Sequence, residues 1–93
     1  AVEKKALSDE EIGDLEDEQK NEQLAIYWCA KEAIFKLTSQ YDVDFAEQIQ
    51  IDGFRYRNEG ELSATFTDKD GYEQELNLYY FTFDRHVLVC VSA

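Results

Sequence analysis

The chain has 93 residues, a formal net charge of −12 and a hydrophobic content of 44%. This length fits one small globular domain, so we predict a single domain over residues 1–93, with residues 1–7 as a loose lead-in. The negative charge disfavours nucleic acid and anionic membranes as partners, since both attract clustered Lys and Arg, and no apolar run approaches the roughly 20 residues that span a bilayer.

Two helices are predicted in the first part of the chain. Ser8 and Glu11 form a capping-box pattern at the start of a short, solvated helix over residues 9–18. Residues 21–38 are rich in Ala, Leu, Glu, Lys and Gln and contain neither Gly nor Pro, which favours a long helix.

The long helix has apolar residues on two opposite faces of its wheel. Lys31 interrupts the first face, and Glu32 and Lys36 occupy the narrow charged sector. A helix that is apolar nearly all round is typically buried, so we expect Trp28 and Phe35 to contact the sheet. The first face comprises Leu24, Tyr27, Trp28, Ile34 and Phe35, and the second comprises Ile26, Cys29, Ala30, Ala33 and Leu37.

Beyond residue 41 the apolar residues alternate, which predicts strands. Short strands are expected around Ile49 and Ile51 and from Leu62 to Phe66, followed by longer strands over residues 72–83 and 86–92. The predicted turns are Asn58-Glu59-Gly60, Asp68-Lys69-Asp70-Gly71 and Asp84-Arg85. The fold class is therefore α+β, with the long helix packed on an antiparallel sheet of three to four strands.

Both sides of the strand over residues 72–83 carry bulky apolar side chains. One side can pack on the helix, and we expect the other to be an interface. Cys29 and Cys90 lie in apolar contexts, so we interpret both as small buried residues. His86 is the single histidine, which excludes a zinc site built from paired histidines, and we interpret it as a strand residue beside a turn.

Glu32 and Lys36 are the candidate functional residues. They lie four positions apart, hence next to each other on a helix, and the simplest interpretation is a structural ion pair. Charged groups on a buried helix are costly without partners. The alternative is that the carboxylate holds a divalent metal while the ammonium meets a phosphate.

The segment Trp28-Cys29-Ala30-Lys31-Glu32-Ala33-Ile34-Phe35-Lys36 resembles the signature W-[CS]-x-K-E-[AS]-x-x-K of the 4′-phosphopantetheinyl transferase superfamily, with every fixed position matched. Upstream, Leu7-Ser8-Asp9-Glu10-Glu11 resembles the L-S-x-E-E stretch that precedes this signature. Val43-Asp44-Phe45 and the final strand Val87–Val91 also resemble the corresponding parts of the family, so the likeness covers nearly the whole chain.

The resemblance implies a Mg²⁺-dependent enzyme that moves the 4′-phosphopantetheine arm of coenzyme A onto a serine of an acyl or peptidyl carrier protein, a holo-[acyl-carrier-protein] synthase activity in the cytoplasm. Glu32 matches the signature glutamate, a metal ligand and the base for the acceptor serine. Lys36 matches the lysine that contacts phosphate, and Lys31 matches the lysine in or beside the coenzyme site. Trp28 matches the packing aromatic.

Larger family members have two lobes, and the G-x-D-x-E motif of their first lobe does not occur in this chain. The resemblance therefore implies a C-terminal lobe that is incomplete for catalysis by itself and that pairs with an N-terminal lobe or with itself. Arg55 and Arg57 are a small basic candidate for contact with an acidic carrier protein, or else solvated strand-end residues. The alternative function is a non-catalytic interaction or scaffolding module of the same fold.

Overall fold

A computed structural model of the chain describes residues 7–38, 43–84 and 86–92. Within these ranges, one long helix packs on a four-stranded antiparallel sheet with strand order β1-β2-β3-β4, which confirms the predicted α+β fold class. No helix of the described ranges is long and apolar enough to cross a membrane. The elements in chain order are α1 (Asp9–Gly13), a 3₁₀ turn (Asp17–Gln19), α2 (Lys20–Thr38), β1 (Ile49–Ile51), β2 (Glu59–Thr67), β3 (Glu73–Phe83) and β4 (His86–Ser92).

The first helix begins with the predicted capping box. Glu11 N donates to Ser8 Oγ at 3.3 Å, and Ser8 N donates to Glu11 Oε1 at 2.8 Å. The helix ends at Gly13 rather than at residue 18, so the predicted length was wrong. Leu7 is buried in the core, while the rest of the predicted lead-in, residues 1–6, lies outside the described ranges.

The alternating pattern of the strands places one side of the sheet in the core. In β2 and β3 the buried positions are Leu62, Ala64, Phe66, Leu76, Leu78 and Tyr80. The turn over residues 68–71 is confirmed, with Gly71 at φ 88°. The predicted turn at Asn58-Glu59-Gly60 was wrong, because Glu59 and Gly60 already belong to β2 and pair with Phe81 and Tyr80.

The long helix is unbroken from Lys20 to Thr38, close to its predicted bounds. Its buried face was predicted incorrectly: the buried residues are Gln23, Ile26, Tyr27, Ala30, Lys31 and Ile34. Trp28 is 43% exposed and Leu37 is also exposed, so the helix is half buried rather than enclosed. The helical wheel alone shows two apolar faces. The face that packs on the rest of the fold also contains Gln23 and Lys31, whose side chains have polar partners there.

The outer side of the sheet exposes apolar residues of β3 and β4. Phe81 pairs with Leu88, and Tyr79 pairs with Cys90. Cys90 is exposed and Cys29 is only half buried, so the interpretation of both thiols as buried was wrong. Asp84, at φ 48°, leads out of β3, and Arg85 of the predicted turn lies outside the described ranges. His86 begins β4, in agreement with its interpretation as a strand residue beside a turn.

Candidate active site on the long helix

Glu32 and Lys36 lie one turn apart on the side of α2 opposite its buried residues, which we call the open side. Glu32 is half buried and Lys36 is exposed, and residues four apart on a helix have Cβ atoms about 5–6 Å from each other. Within the described part of the chain neither side chain forms an ion pair with the other or with a third group. The geometry therefore favours the interpretation in which the two opposite charges contact a ligand, rather than the interpretation as a structural ion pair.

Cys29 lies one turn before Glu32 and could be considered as a nucleophile. Partial burial raises the pKa of its thiol, and the nearby Glu32 carboxylate raises it further. A raised pKa lowers the fraction of reactive thiolate at neutral pH. These surroundings make Cys29 less suited to nucleophilic chemistry than a thiol of ordinary pKa.

Lys31 points away from this open side and is fully buried, at 0% exposure. Its Nζ donates to Glu11 Oε1 at 2.6 Å and to the Phe45 carbonyl oxygen at 2.6 Å. Burial lowers the pKa of the Lys31 amine, while the hydrogen bond and the charge of Glu11 act in the opposite direction. Lys31 therefore lies on the buried face of α2, apart from the side that carries Glu32 and Lys36.

Glu11 is the partner that sequence reasoning missed. Its Oε2 accepts from Ile51 N at 2.7 Å, while its Oε1 accepts from both Ser8 N and Lys31 Nζ. One buried carboxylate therefore connects α1, α2 and β1. The capping box predicted only the hydrogen bond between Glu11 and Ser8. A lysine on an apolar helix face also requires a buried acceptor, and this requirement is the sequence feature that could have indicated a partner for Lys31.

An aromatic cluster flanks the site. Trp28 and Phe35 lie on the same side of α2, and both contact Phe45, with ring centroids at 5.7 and 5.3 Å. Phe45 belongs to the turn that precedes β1. Asp44 fixes this turn, because its Oδ1 accepts from Ala46 N and Glu47 N. Trp28 thus packs on Phe45 of this turn, and Phe35 also packs against the hydrophobic core.

The remaining candidates lie outside α2. Arg55 and Arg57 are exposed in the loop between β1 and β2, and His86 is exposed at the start of β4. No group of three or more His, Cys, Asp or Glu side chains converges among residues 7–38, 43–84 and 86–92. Glu32 offers the hard carboxylate oxygen that Mg²⁺ prefers, and Mg²⁺ is commonly held by one or two carboxylates together with substrate phosphates. Glu32 fits the role of one such ligand.

The model of the 4′-phosphopantetheinyl transferase superfamily matches residues 1–91 of the chain. No curated protein and no solved structure matches it. The matched range includes α1, the complete signature helix, β1 to β3 and all of β4 except Ser92. With this coverage, the chain belongs to the 4′-phosphopantetheinyl transferase superfamily.

Proposed function

We propose that this chain takes part in transfer of 4′-phosphopantetheine from coenzyme A to a serine of an acyl or peptidyl carrier protein, as a holo-[acyl-carrier-protein] synthase of the cytoplasm. Membership of the superfamily supports this reaction class. The observation that carries the proposal is the side-by-side presentation of Glu32 and Lys36, without ion-pair partners among the described residues, on the open side of an unbroken helix.

The proposed roles follow from the chemistry of phosphoryl transfer, which depends on positioning and on neutralising charge. The serine oxygen forms a bond to the phosphorus that bears the pantetheine, and the bond from that phosphorus to the adenosine 3′,5′-diphosphate leaving group breaks. Glu32 is a metal ligand and accepts the serine proton. Mg²⁺, when bound, neutralises charge on the pyrophosphate.

The two signature lysines have different proposed roles. Lys36 is exposed, so its ammonium can reach a phosphate of coenzyme A. The Lys31 amine is held by Glu11 and the Phe45 carbonyl. We therefore assign to Lys31 a position beside the coenzyme site, and direct contact with phosphate requires it to leave these partners.

A carrier-loading assay with mass-spectrometric detection tests the proposal. Glu32→Gln keeps the shape of the side chain and loses its charge, so we expect transfer to be abolished while the far-ultraviolet circular dichroism stays unchanged. Lys36→Ala should raise the coenzyme A concentration for half-maximal rate by about tenfold or more, since a hydrogen bond to a charged group contributes about 1.5–3 kcal/mol. Glu22→Gln, an exposed change in the first turn of the same helix, is the matched control.

The assay is run on the chain alone and with an N-terminal lobe of the family supplied. We expect weak coenzyme A binding and no transfer from the chain alone, and transfer when the partner lobe is present. Near-normal turnover of the Glu32→Gln variant at saturating Mg²⁺ contradicts the catalytic assignment.

The second candidate function is a non-catalytic interaction module. The exposed apolar side chains of β3 and β4 favour it, because such surfaces commonly mark interfaces. In a module of this kind, substitutions on the outer side of the sheet should abolish partner binding, whereas Glu32→Gln should leave partner binding unchanged. The two functions therefore respond to different substitutions.

A further inference from the structure

The orientation of α2 about its own axis decides whether Glu32 faces solvent. The buried face is centred on Tyr27, Ala30 and Ile34, which places Glu32 on nearly the opposite side of the helix. A second apolar stripe lies next to the buried face. It contains Leu24 and Phe35, which are partly buried, and Trp28, which is 43% exposed. Apolar side chains therefore flank Lys31 on both sides of the helix wheel.

Lys31 lies on α2 between the buried face and the Leu24-Trp28-Phe35 stripe. At 100° per residue it falls at the edge of the observed buried face and next to Leu24, at the near edge of the stripe. Turning the helix by roughly 80°, an estimate from the same wheel, would bring that stripe into the contact with the sheet and would place Lys31 near the middle of the contact. An ammonium at the centre of an apolar contact is strongly disfavoured.

Glu11 also favours the observed orientation directly, because its carboxylate attracts the Lys31 ammonium. Its fully buried carboxylate is fixed by Ser8 N and Ile51 N, so it is a stationary acceptor at the edge of α2. The 2.6 Å contact with Lys31 Nζ forms in the observed orientation. Buried ion pairs often add little net stability compared with apolar replacements, whereas single polar contacts can specify helix register.

We propose that Glu11 and Lys31 are positioning residues that fix the rotation of α2, so that Glu32 and Lys36 face outwards. Rotation towards the Trp28 stripe would swing Glu32 from the side opposite the sheet to the flank of the helix. The consequence for coenzyme binding rests on the proposed function, but the rotation itself can be measured without any ligand.

The test uses the double variant Glu11→Gln with Lys31→Met. Gln keeps a carbonyl that can accept from Ile51 N, and Met completes an uninterrupted apolar stripe from Leu24 to Phe35. Trp28 is the single tryptophan of the chain, so its fluorescence reports the orientation of α2 directly. The control variant Glu10→Gln with Lys69→Met removes one acidic and one basic charge at exposed positions.

We expect the double variant to fold with an undiminished urea midpoint, while the Trp28 emission shifts to shorter wavelength and acrylamide quenching is lost. The control variant should keep the wild-type spectrum. Unfolding would instead move the emission to longer wavelength, so the direction of the shift separates rotation from loss of structure. A folded double variant with the wild-type spectrum overturns the proposal, as does an unfolded one beside a folded control, because the pair would then supply stability and not orientation.

A ligand-binding measurement on the same variants separates this proposal from the proposed function. Titration of Mg²⁺ and coenzyme A should show weaker binding by the double variant than by the control. If the spectrum shifts while neither variant nor the wild type responds to coenzyme A, the positioning role stands and the proposed function fails.

Discussion

The Tyr27 hydroxyl lies in the core without a hydrogen-bond partner among the described residues. The ring is fully buried and contacts Phe54 at 5.1 Å between centroids. Burial raises the pKa of this phenol well above its usual value, and the charges of Glu11 and Asp14 raise it further. The buried hydroxyl is thus a local cost within an otherwise well-packed face of α2.

Replacing Tyr27 by Phe removes this cost. An unsatisfied buried polar group costs about 1–3 kcal/mol, so we expect Tyr27→Phe to increase the free energy of unfolding by about 1 kcal/mol or more. Urea denaturation at pH 7 measures the change. Tyr72→Phe is the matched control, because Tyr72 is highly exposed and the same substitution there should leave the midpoint unchanged.

The pH dependence of the same variant gives a second readout. Above about pH 10 the unfolded phenol ionises, while the folded Tyr27 keeps its proton, so the folded state binds more protons and stability falls as the pH rises. The wild type should lose more stability between about pH 9 and 11 than Tyr27→Phe does. Equal losses in the two proteins contradict the assignment of a raised pKa to Tyr27.

At the scale of elements, local composition and alternation predicted α2 and the four strands, because both patterns are set by neighbouring residues. The orientation of α2 was not predictable in this way, since it depends on Glu11, which lies 20 positions before Lys31. The turn at Asn58-Glu59-Gly60 was misplaced for a similar reason: Gly60 lies against the Tyr80 ring in the neighbouring strand, a contact that local sequence does not encode. The candidate site was found through its nine-residue signature, whereas the burial of Lys31 required the tertiary structure.

The β2–β3 hairpin depends on the backbone conformation of Gly71. Gly71 has φ 88° and donates from its N–H to the Asp68 carbonyl oxygen at 3.1 Å. Any other L-residue is strained at this φ, so Gly71→Ala should lower the free energy of unfolding by about 1 kcal/mol. The thermal midpoint measures this loss.

Gly13→Ala is the comparison for this prediction. Gly13 ends α1 and has open space within 4 Å of an added Cβ, without a positive φ. The substitution there should be neutral or stabilising by up to about 1 kcal/mol, because alanine restricts the unfolded chain. Equal effects of the two substitutions would show that the hairpin turn does not depend on the left-handed conformation.

At the scale of the whole molecule, two properties of the surface oppose each other. The outer side of the sheet carries an apolar patch formed by Tyr79, Phe81, Phe83, Leu88 and Cys90. Phe83 is 63% exposed and Leu88 is 49% exposed. The chain as a whole carries a net charge of −12, so two copies repel each other at long range.

This opposition predicts self-association that strengthens with salt. Screening shortens the range of repulsion from about 10 Å at 0.1 M to about 3 Å at 1 M ionic strength, while the apolar contact between two patches is not weakened by screening. Sedimentation equilibrium of the isolated chain at low and high NaCl should therefore show a larger fraction of dimer at high salt.

Phe83→Ser with Leu88→Ser should abolish this fraction at both salt concentrations, whereas Tyr72→Ser, an exposed change outside the patch, should leave it intact. A chain that stays monomeric at high salt, or that dissociates equally in the Tyr72 variant, would show that the patch does not bind a second copy.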